Sequence, residues 1–376
     1  MADFQRAQKN AELAQAAGGG YNPAYNSNLA GSQPLTVFSQ LTNGGTLSSV
    51  TNQTYIRNGQ IGELANQYMV LGQNGPVKFY TNQNLQGANT VTNGGSSSFH
   101  SLQLEVTKRT RAGLQAQFSY VYGKSLSNTS GDGQTNFEPL LDNGNPSLEQ
   151  ARSPYDIRHA LKANYYYELP FGPGKKWGGS PILKHVIGGW AISGIMAYYS
   201  GSPYSILSTY GTLNRDARSL FTNTASVAGT TWSQLEPVTG GVFKTGSNIY
   251  FVSPTIISPD GRGASQPGTA PFTGQVFSNP LAGTVGNLQR RMFSGPWDWS
   301  WDASVVKSFR ITERQTLDLH FDFFNVGNHP TFYMYPSTAG DYGASAPYNI
   351  NSTTFGMFDS MNHDSRQIQI GAYYRF

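Results

Sequence analysis

Asp318, His320 and Asp322 alternate along one stretch, and a period of two sets all three on one face of a strand. Two carboxylates and an imidazole at that spacing could ligate a divalent metal if a neighbouring strand supplied further donors. A hydrated wall asks for the same residue types and needs no metal, and it is the reading taken here. Asp156, Arg158 and His159 form a second group, in which a carboxylate and an imidazole could exchange a proton. Ordinary polar contacts at a strand rim account for them more simply. Trp297, Trp299 and Trp301 form a third group. Indole rings at period two could stack a sugar, but an aromatic belt at a membrane–water boundary is the weightier expectation. The sequence shows no phosphate loop, nucleophile elbow or zinc signature. The expectation is therefore a protein that is not an enzyme and holds no cofactor.

The elements that position these groups are visible as alternation. Leu102, Leu104 and Val106 alternate with Gln103, Glu105 and Thr107. After a turn at 108–113, Leu114, Ala116, Phe118, Tyr120 and Tyr122 alternate with Gln115, Gln117 and Ser119, which makes a long hairpin. A third strand sets Leu161, Ala163, Tyr165, Tyr167 and Leu169 against Lys162, Asn164, Tyr166 and Glu168. A fourth begins near Trp190 and alternates less cleanly, with Ile192 and Met196 opposite Ala191 and Ser193. A fifth places Trp299, Trp301, Ala303, Val305 and Phe309 opposite Asp298, Ser300, Asp302, Ser304 and Ser308, and Val306 and Lys307 break its pattern. Leu317, Leu319, Phe321 and Phe323 face away from Asp318, His320 and Asp322 in a sixth. The seventh alternates Ile368, Ile370, Ala372, Tyr374 and Phe376 with Gln367, Gln369, Gly371, Tyr373 and Arg375. Elsewhere, residues 3–17 read as one short helix, 21–95 as a long irregular loop, and 201–297 mainly as loop with a strand candidate at Ile249 to Ile257.

Composition narrows the class. Charged residues make up 12% of the 376, aromatics 13%, and there is no cysteine. The aromatic content argues against disorder, and the missing cysteines exclude a disulfide framework. A net charge of +4 is too slight to be a nucleic-acid footprint. No run approaches the roughly 20 apolar residues of a membrane helix.

Strands of this length suit a different membrane solution. Globular strands cluster near five or six residues, whereas about nine to eleven tilted residues cross a bilayer core. The expected fold is all-β: a partial antiparallel transmembrane β-barrel of about seven long strands, with long extracellular loops and one short N-terminal helix. Residues 1–95 would form an extracellular loop region and 96–376 the barrel segment, with its large loop at 201–297. Leu102, Leu104, Leu114, Phe118, Leu161, Leu319, Phe321, Ile368 and Ile370 would face outer-membrane lipid. Gln103, Glu105, Gln115, Gln117, Lys162, Glu168, Asp318, His320 and Asp322 would face the lumen, and Tyr165, Tyr167, Tyr198, Trp299 and Trp301 would form the interfacial girdle. Connections alternate short and long, as short periplasmic turns and long outside loops require. An odd strand count does not close an antiparallel barrel, and Met1 to Arg6 lacks the apolar core of a signal peptide. Both lead to the expectation of a C-terminal piece of a larger barrel.

The last eight residues, Gln369 to Phe376, resemble the C-terminal assembly signal of outer-membrane barrels, with Gln369, Gly371, Tyr374 and Phe376 at its defining positions. Longer stretches are similar to the C-terminal barrel of Oar-like TonB-dependent receptors, the type with a carboxypeptidase-regulatory-like N-terminal domain. They are DFQRAQKNA (3–11), SLQLEVTKR (101–109), DIRHALKANYYYELPFG (156–172), GGWAISGI (188–195) and FDFFNVGNHPTF (321–332). The resemblance implies a bacterial outer-membrane transporter that takes up a solute, powered through TonB. It implies a plug and a TonB box upstream of Met1, and recognition by the barrel assembly machinery. Two rivals remain open at this point: a secreted β-sandwich or adhesin that binds carbohydrate, and a small passive porin that would need Ile249 to Ile257 as an eighth strand.

Overall fold

In the computed structural model the described residues are 1–82, 91–111, 113–129, 140–172, 175–177, 186–213, 223–332, 334, 346–358, 361 and 365–376. Helices α1 (Ala2–Ala16), α2 (Val50–Arg57) and α3 (Ile61–Val70) come first. The strands β1 (Ser97–Arg111), β2 (Leu114–Ser127), β3 (Ala151–Arg152), β4 (His159–Glu168) and β5 (Trp190–Tyr199) follow. The next connection carries β6 (Pro203–Tyr204), β7 (Ser226–Val227), β8 (Thr239–Thr245), β9 (Asn248–Val252), β10 (Phe277–Ser278) and β11 (Phe293–Ser294). The chain then forms β12 (Asp298–Arg310), β13 (Thr316–Phe324) and β14 (Gln367–Arg375).

The long strands make one meandering sheet in the order β1-β2-β4-β5-β12-β13-β14, with the short β3 adding to β2. Every neighbouring pair is antiparallel. The register carries alternation across the whole sheet, because a pairing slip of one residue would reverse every side chain. Leu114, Tyr167, Ile192, Val305, Phe321 and Ile370 fall in one continuous cross-strand row. The adjacent polar row runs Gln115, Tyr166, Ser193, Ser304, Asp322, Gln369.

The two irregular strands are explained by this register. Ile195 lies on the polar face between Asn164 and Asp302, which is why β5 alternated poorly. Lys307 lies on the apolar face between Trp190 and Leu319. Its Nζ donates to the carbonyls of Val186 (3.3 Å) and Gly188, and it sits over the Trp190 and Phe309 rings. A buried ammonium needs such partners, so the break in the pattern is satisfied locally.

Among the described residues no second sheet covers the apolar face. Leu104 is 53% exposed and Ile370 is 71% exposed. The packed cores lie elsewhere, on the side of the long connections. One gathers Tyr204, Ile206, Phe251, Phe277 and Phe293 from the β5–β12 connection with Tyr348, Ile350 and Phe355 from the β13–β14 connection. The other packs Phe4, Ala7 and Ala11 of α1 against Ile56 and Leu64 of α2 and α3, and extends to Ala282.

Two expectations change here. The stretch read as loop from 21 to 95 contains two helices, which bury Ile56 and Leu64. The segment 201–297 is mainly irregular backbone, as read, and it holds much of a hydrophobic core. The first part of the strand candidate at Ile249 to Ile257 forms β9, which pairs with β8 in a separate two-stranded sheet, while Pro254–Ile256 turns into a short 3-10 helix. It is therefore not an eighth strand of the large sheet. Part of the 170–187 connection, residues 173–174 and 178–185, lies outside the described residues.

Candidate functional site

Every residue expected in the lumen falls on the polar face, and register brings several of them together. Gln117 Nε2 donates to Glu105 Oε1 (2.9 Å), and Asn164 Nδ2 donates to Gln117 Oε1 (3.4 Å), so a side-chain ladder crosses three strands. Gln103 donates to Ser101 (3.4 Å), and Lys162 lies 5.9 Å from the centre of the Tyr199 ring. Gln115 is paired in register with Tyr166. Toward the short-connection rim, Glu168 meets Lys175 at 2.7 Å.

Asp318, His320 and Asp322 have separate partners. Asp318 pairs with Arg375 (3.1 Å), the His320 ring meets Tyr373 edge-on at 4.7 Å, and Asp322 accepts the Ser304 hydroxyl. The three do not converge on one point. No group of three or more metal-ligating side chains occurs among the described residues.

Asp156 is a structural tie. Its Oδ1 accepts the Ser125 N–H (2.7 Å), while its Oδ2 takes Arg152 Nε (2.7 Å) and Arg158 Nη2 (3.2 Å). Arg152 also donates to Ser294 Oγ (2.7 Å), and the buried Glu149 meets the buried Arg290 at 2.5 Å. These contacts fasten the β2–β4 connection to the β5–β12 connection. His159 takes no part in them; its Nδ1 pairs with Tyr120 Oη (2.8 Å) on the apolar face. An acid–base pairing of Asp156 with His159 is therefore not assembled.

The expected girdle shares one face but not one band. Tyr198 and Trp299 are register partners at the long-connection rim. Tyr167 stands near the opposite rim, beside Leu114 and Ile192. Tyr165 and Trp301 lie between, where Trp301 Nε1 donates to Tyr165 Oη (3.2 Å). An indole N–H away from the water boundary needs such a partner. Tyr165 faces Gly194, where an added Cβ would come within 2.7 Å of its hydroxyl, so glycine makes room for the ring.

At the long-connection rim the aromatics thicken into a cluster. His159 stacks on Trp297 (5.7 Å), Trp297 on Tyr198 (5.0 Å), and Trp299 on His329 (4.6 Å). His329 belongs to a segment without alternation, and no sequence signal marked it.

The terminal strand β14 pairs with β13 along its length. Gln369 opposes Asp322 and Gly371 opposes His320 on the polar face, whereas Tyr374 opposes Leu317 on the apolar face. Phe376 stacks on Tyr374 at 6.0 Å and is 93% exposed. A Cβ on Gly371 would press on the Tyr373 ring at 3.3 Å, so this glycine lets the ring lie flat over the strand.

Asp3 and Asn10, also unmarked by sequence reasoning, anchor the helical module. Asp3 accepts the N–H groups of Thr36 (2.9 Å), Val37 (2.8 Å) and Phe38 (3.0 Å). Burial opposes its ionisation, but the bonds from Phe38, Thr36 and Val37 prevail and hold its carboxyl below the ordinary 3.8. Asn10 bonds Gln33 through both its oxygen and its nitrogen, at 2.8 Å each. The seven-residue spacing of these polar residues along the buried face of α1 was the available signal.

A family model described as an outer membrane beta barrel domain matches residues 6–369. No curated protein matches the chain.

Proposed function

The chain belongs to the outer membrane beta barrel domain family and resides in the bacterial outer membrane, and from that premise we propose that it is the C-terminal barrel segment of an Oar-like TonB-dependent receptor that actively takes up a solute. One observation carries this reading. Among the described residues the large sheet has seven long strands, each antiparallel to the next, so β1 and β14 run in the same direction. Pairing those two edges would be parallel, whereas single-chain outer-membrane barrels are antiparallel and even-stranded. An open edge is not tolerated in hydrocarbon. An odd number of further strands resolves both difficulties, and a receptor with a larger barrel and an upstream plug supplies them.

Two features support the reading. The segments similar to Oar-like receptors are spread from 3 to 332 and include all of β4, the middle of β1 and the last four residues of β13. All long connections also gather on one side into a packed cap, tied by Glu149–Arg290 and the Asp156 contacts, which suits an outward receptor surface. The solute would pass along the polar wall of Glu105, Gln117, Lys162 and Asp322, and TonB would act through the plug. The assembly machinery would read Gln369, Gly371, Tyr374 and Phe376.

The test is isolation of the native polypeptide from outer membranes, with photocrosslinking to TonB in energised cells. The reading predicts a chain longer than 376 residues that forms a TonB adduct. A folded 376-residue species with no adduct would overturn it.

A further inference from the structure

The outer end of the apolar face carries a groove of about 380 Å³, lined by Tyr198, Val242, Trp297, Trp299, His329 and Phe332 among others. That volume is within the range of small-molecule sites. Interfacial aromatics form a belt at the boundary; here they also pair into two walls, Trp297 against Tyr198 and Trp299 against His329. The β8 residue Val242 and the segment after β13 close it from the cap side.

Three observations indicate what would occupy it. First, the described lining residues include no lysine or arginine, which disfavours a phosphate or other anionic group. Second, two lining residues carry buried polar atoms, His329 Nδ1 and Thr331 Oγ1, that have no hydrogen-bond partner among the described residues. Thr331 is 3% exposed. An unpaired buried polar atom is costly because it has given up water without a replacement partner, and a ligand hydroxyl would offset that cost. Third, Tyr198 and Trp299 share the face of Met196 and Trp301, opposite the polar wall. The groove therefore continues the lipid-contacting surface and stands apart from any solute path. Aromatic faces combined with waiting hydrogen-bond groups suit a sugar ring, and the location supplies that ring on a lipid. The geometry points to a site for the neutral saccharide head group of an outer-leaflet glycolipid, stacked on Trp297 and Trp299 with hydroxyls directed at Thr331 and His329.

The test uses the full-length protein in nanodiscs of phosphatidylcholine containing about one tenth monogalactosyldiacylglycerol, with bound lipid counted by native mass spectrometry. The wild type is expected to retain the galactolipid over phosphatidylcholine. Trp297→Ala is expected to lower that retention about tenfold, roughly the loss of one good stacking contact. Leu104→Ala, on the same face but away from the groove, is expected to leave it unchanged. Heat-modifiable mobility reports whether Trp297→Ala folds; if it does not, Thr331→Val decides, since it removes the hydroxyl at nearly constant shape and should lower retention several-fold. Equal retention of the two lipids by the wild type would overturn the assignment. So would unaltered retention in the folded variants, or displacement of the lipid by free methyl galactoside at low concentration, which would mark a soluble-sugar site.

Discussion

Leu104 on β1 and Phe251 on β9 are both large apolar side chains on strands, yet Leu104 is 53% exposed and Phe251 is 1% exposed. The difference separates two regions built under opposite rules. In the large sheet the apolar side chains share one face and the polar ones share the other. In the cap the apolar side chains point inward, and Phe251 lies between Tyr204 (5.2 Å) and Tyr348 (5.1 Å). The hydrophobic effect operates in both, but the medium on the far side differs. The far side of a membrane barrel's apolar face is lipid, whereas water forces the cap to bury its own. The buried charges follow the same division. Glu149 and Arg290 pair inside the cap, while Lys307 on the lipid side retreats to backbone carbonyls and aromatic rings at the rim.

That contrast can be broken most forcefully in the cap. Phe251→Ala should destabilise it by about 3–5 kcal/mol, the usual cost of emptying a buried aromatic site. The cap should melt earlier by near-ultraviolet circular dichroism while the barrel keeps its heat-modifiable mobility; joint loss of both would show the regions to be one cooperative unit. A paired substitution sharpens the sheet's rule. Phe321→Arg on the apolar face should cost about 2–4 kcal/mol in lipid, and Gln103→Arg on the polar face close to nothing. Urea titration of protein folded into vesicles reads the difference, and equal costs would contradict the assignment of faces. Deleting Phe376 should lower the amount of protein reaching the outer membrane, measured by fractionation, with little change in the stability of the molecules that arrive.

The smallest effect concerns the helical module. Asp3 has its carboxyl held below the ordinary 3.8, so its contribution is complete above that value and is lost as pH falls through the lowered one. Acidification should therefore leave the Val37 and Phe38 amides protected from exchange down to about pH 4 and release them only below it. Release near neutral pH would show that Asp3 does not fasten this loop.

The sheet was legible because its chemistry is periodic. Leu102 to Val106, Leu317 to Phe323 and Ile368 to Phe376 alternate at period two, and that rhythm yields strands, faces and most of the register. Where it failed, at Ile195 and Lys307, the cause was an exception that only the neighbours resolve: Asn164 and Asp302 flank Ile195 across the strands, and the Gly188 carbonyl accepts Lys307. The cap was illegible for the opposite reason. Tyr204, Phe251, Phe277, Phe293 and Tyr348 meet from positions scattered over nearly 150 residues of mostly irregular backbone, so no local period marks them as inward-facing. The same holds for the candidate site. Trp297 and Trp299 stood out as a stripe, but Thr331 and His329 acquire meaning only through the fold that carries them to the groove.

The central claim is that lipid covers the apolar face of this sheet, and β14 tests it cleanly because the chain has no native cysteine. Single cysteines placed in turn from 368 to 373, spin-labelled and reconstituted with the protein in vesicles, report contact with oxygen in lipid and with a nickel chelate in water. Labels at positions 368, 370 and 372 should be reached by oxygen, and those at 369, 371 and 373 by the chelate, in strict alternation. A uniform response along the strand, or alternation of the opposite phase, would contradict the account.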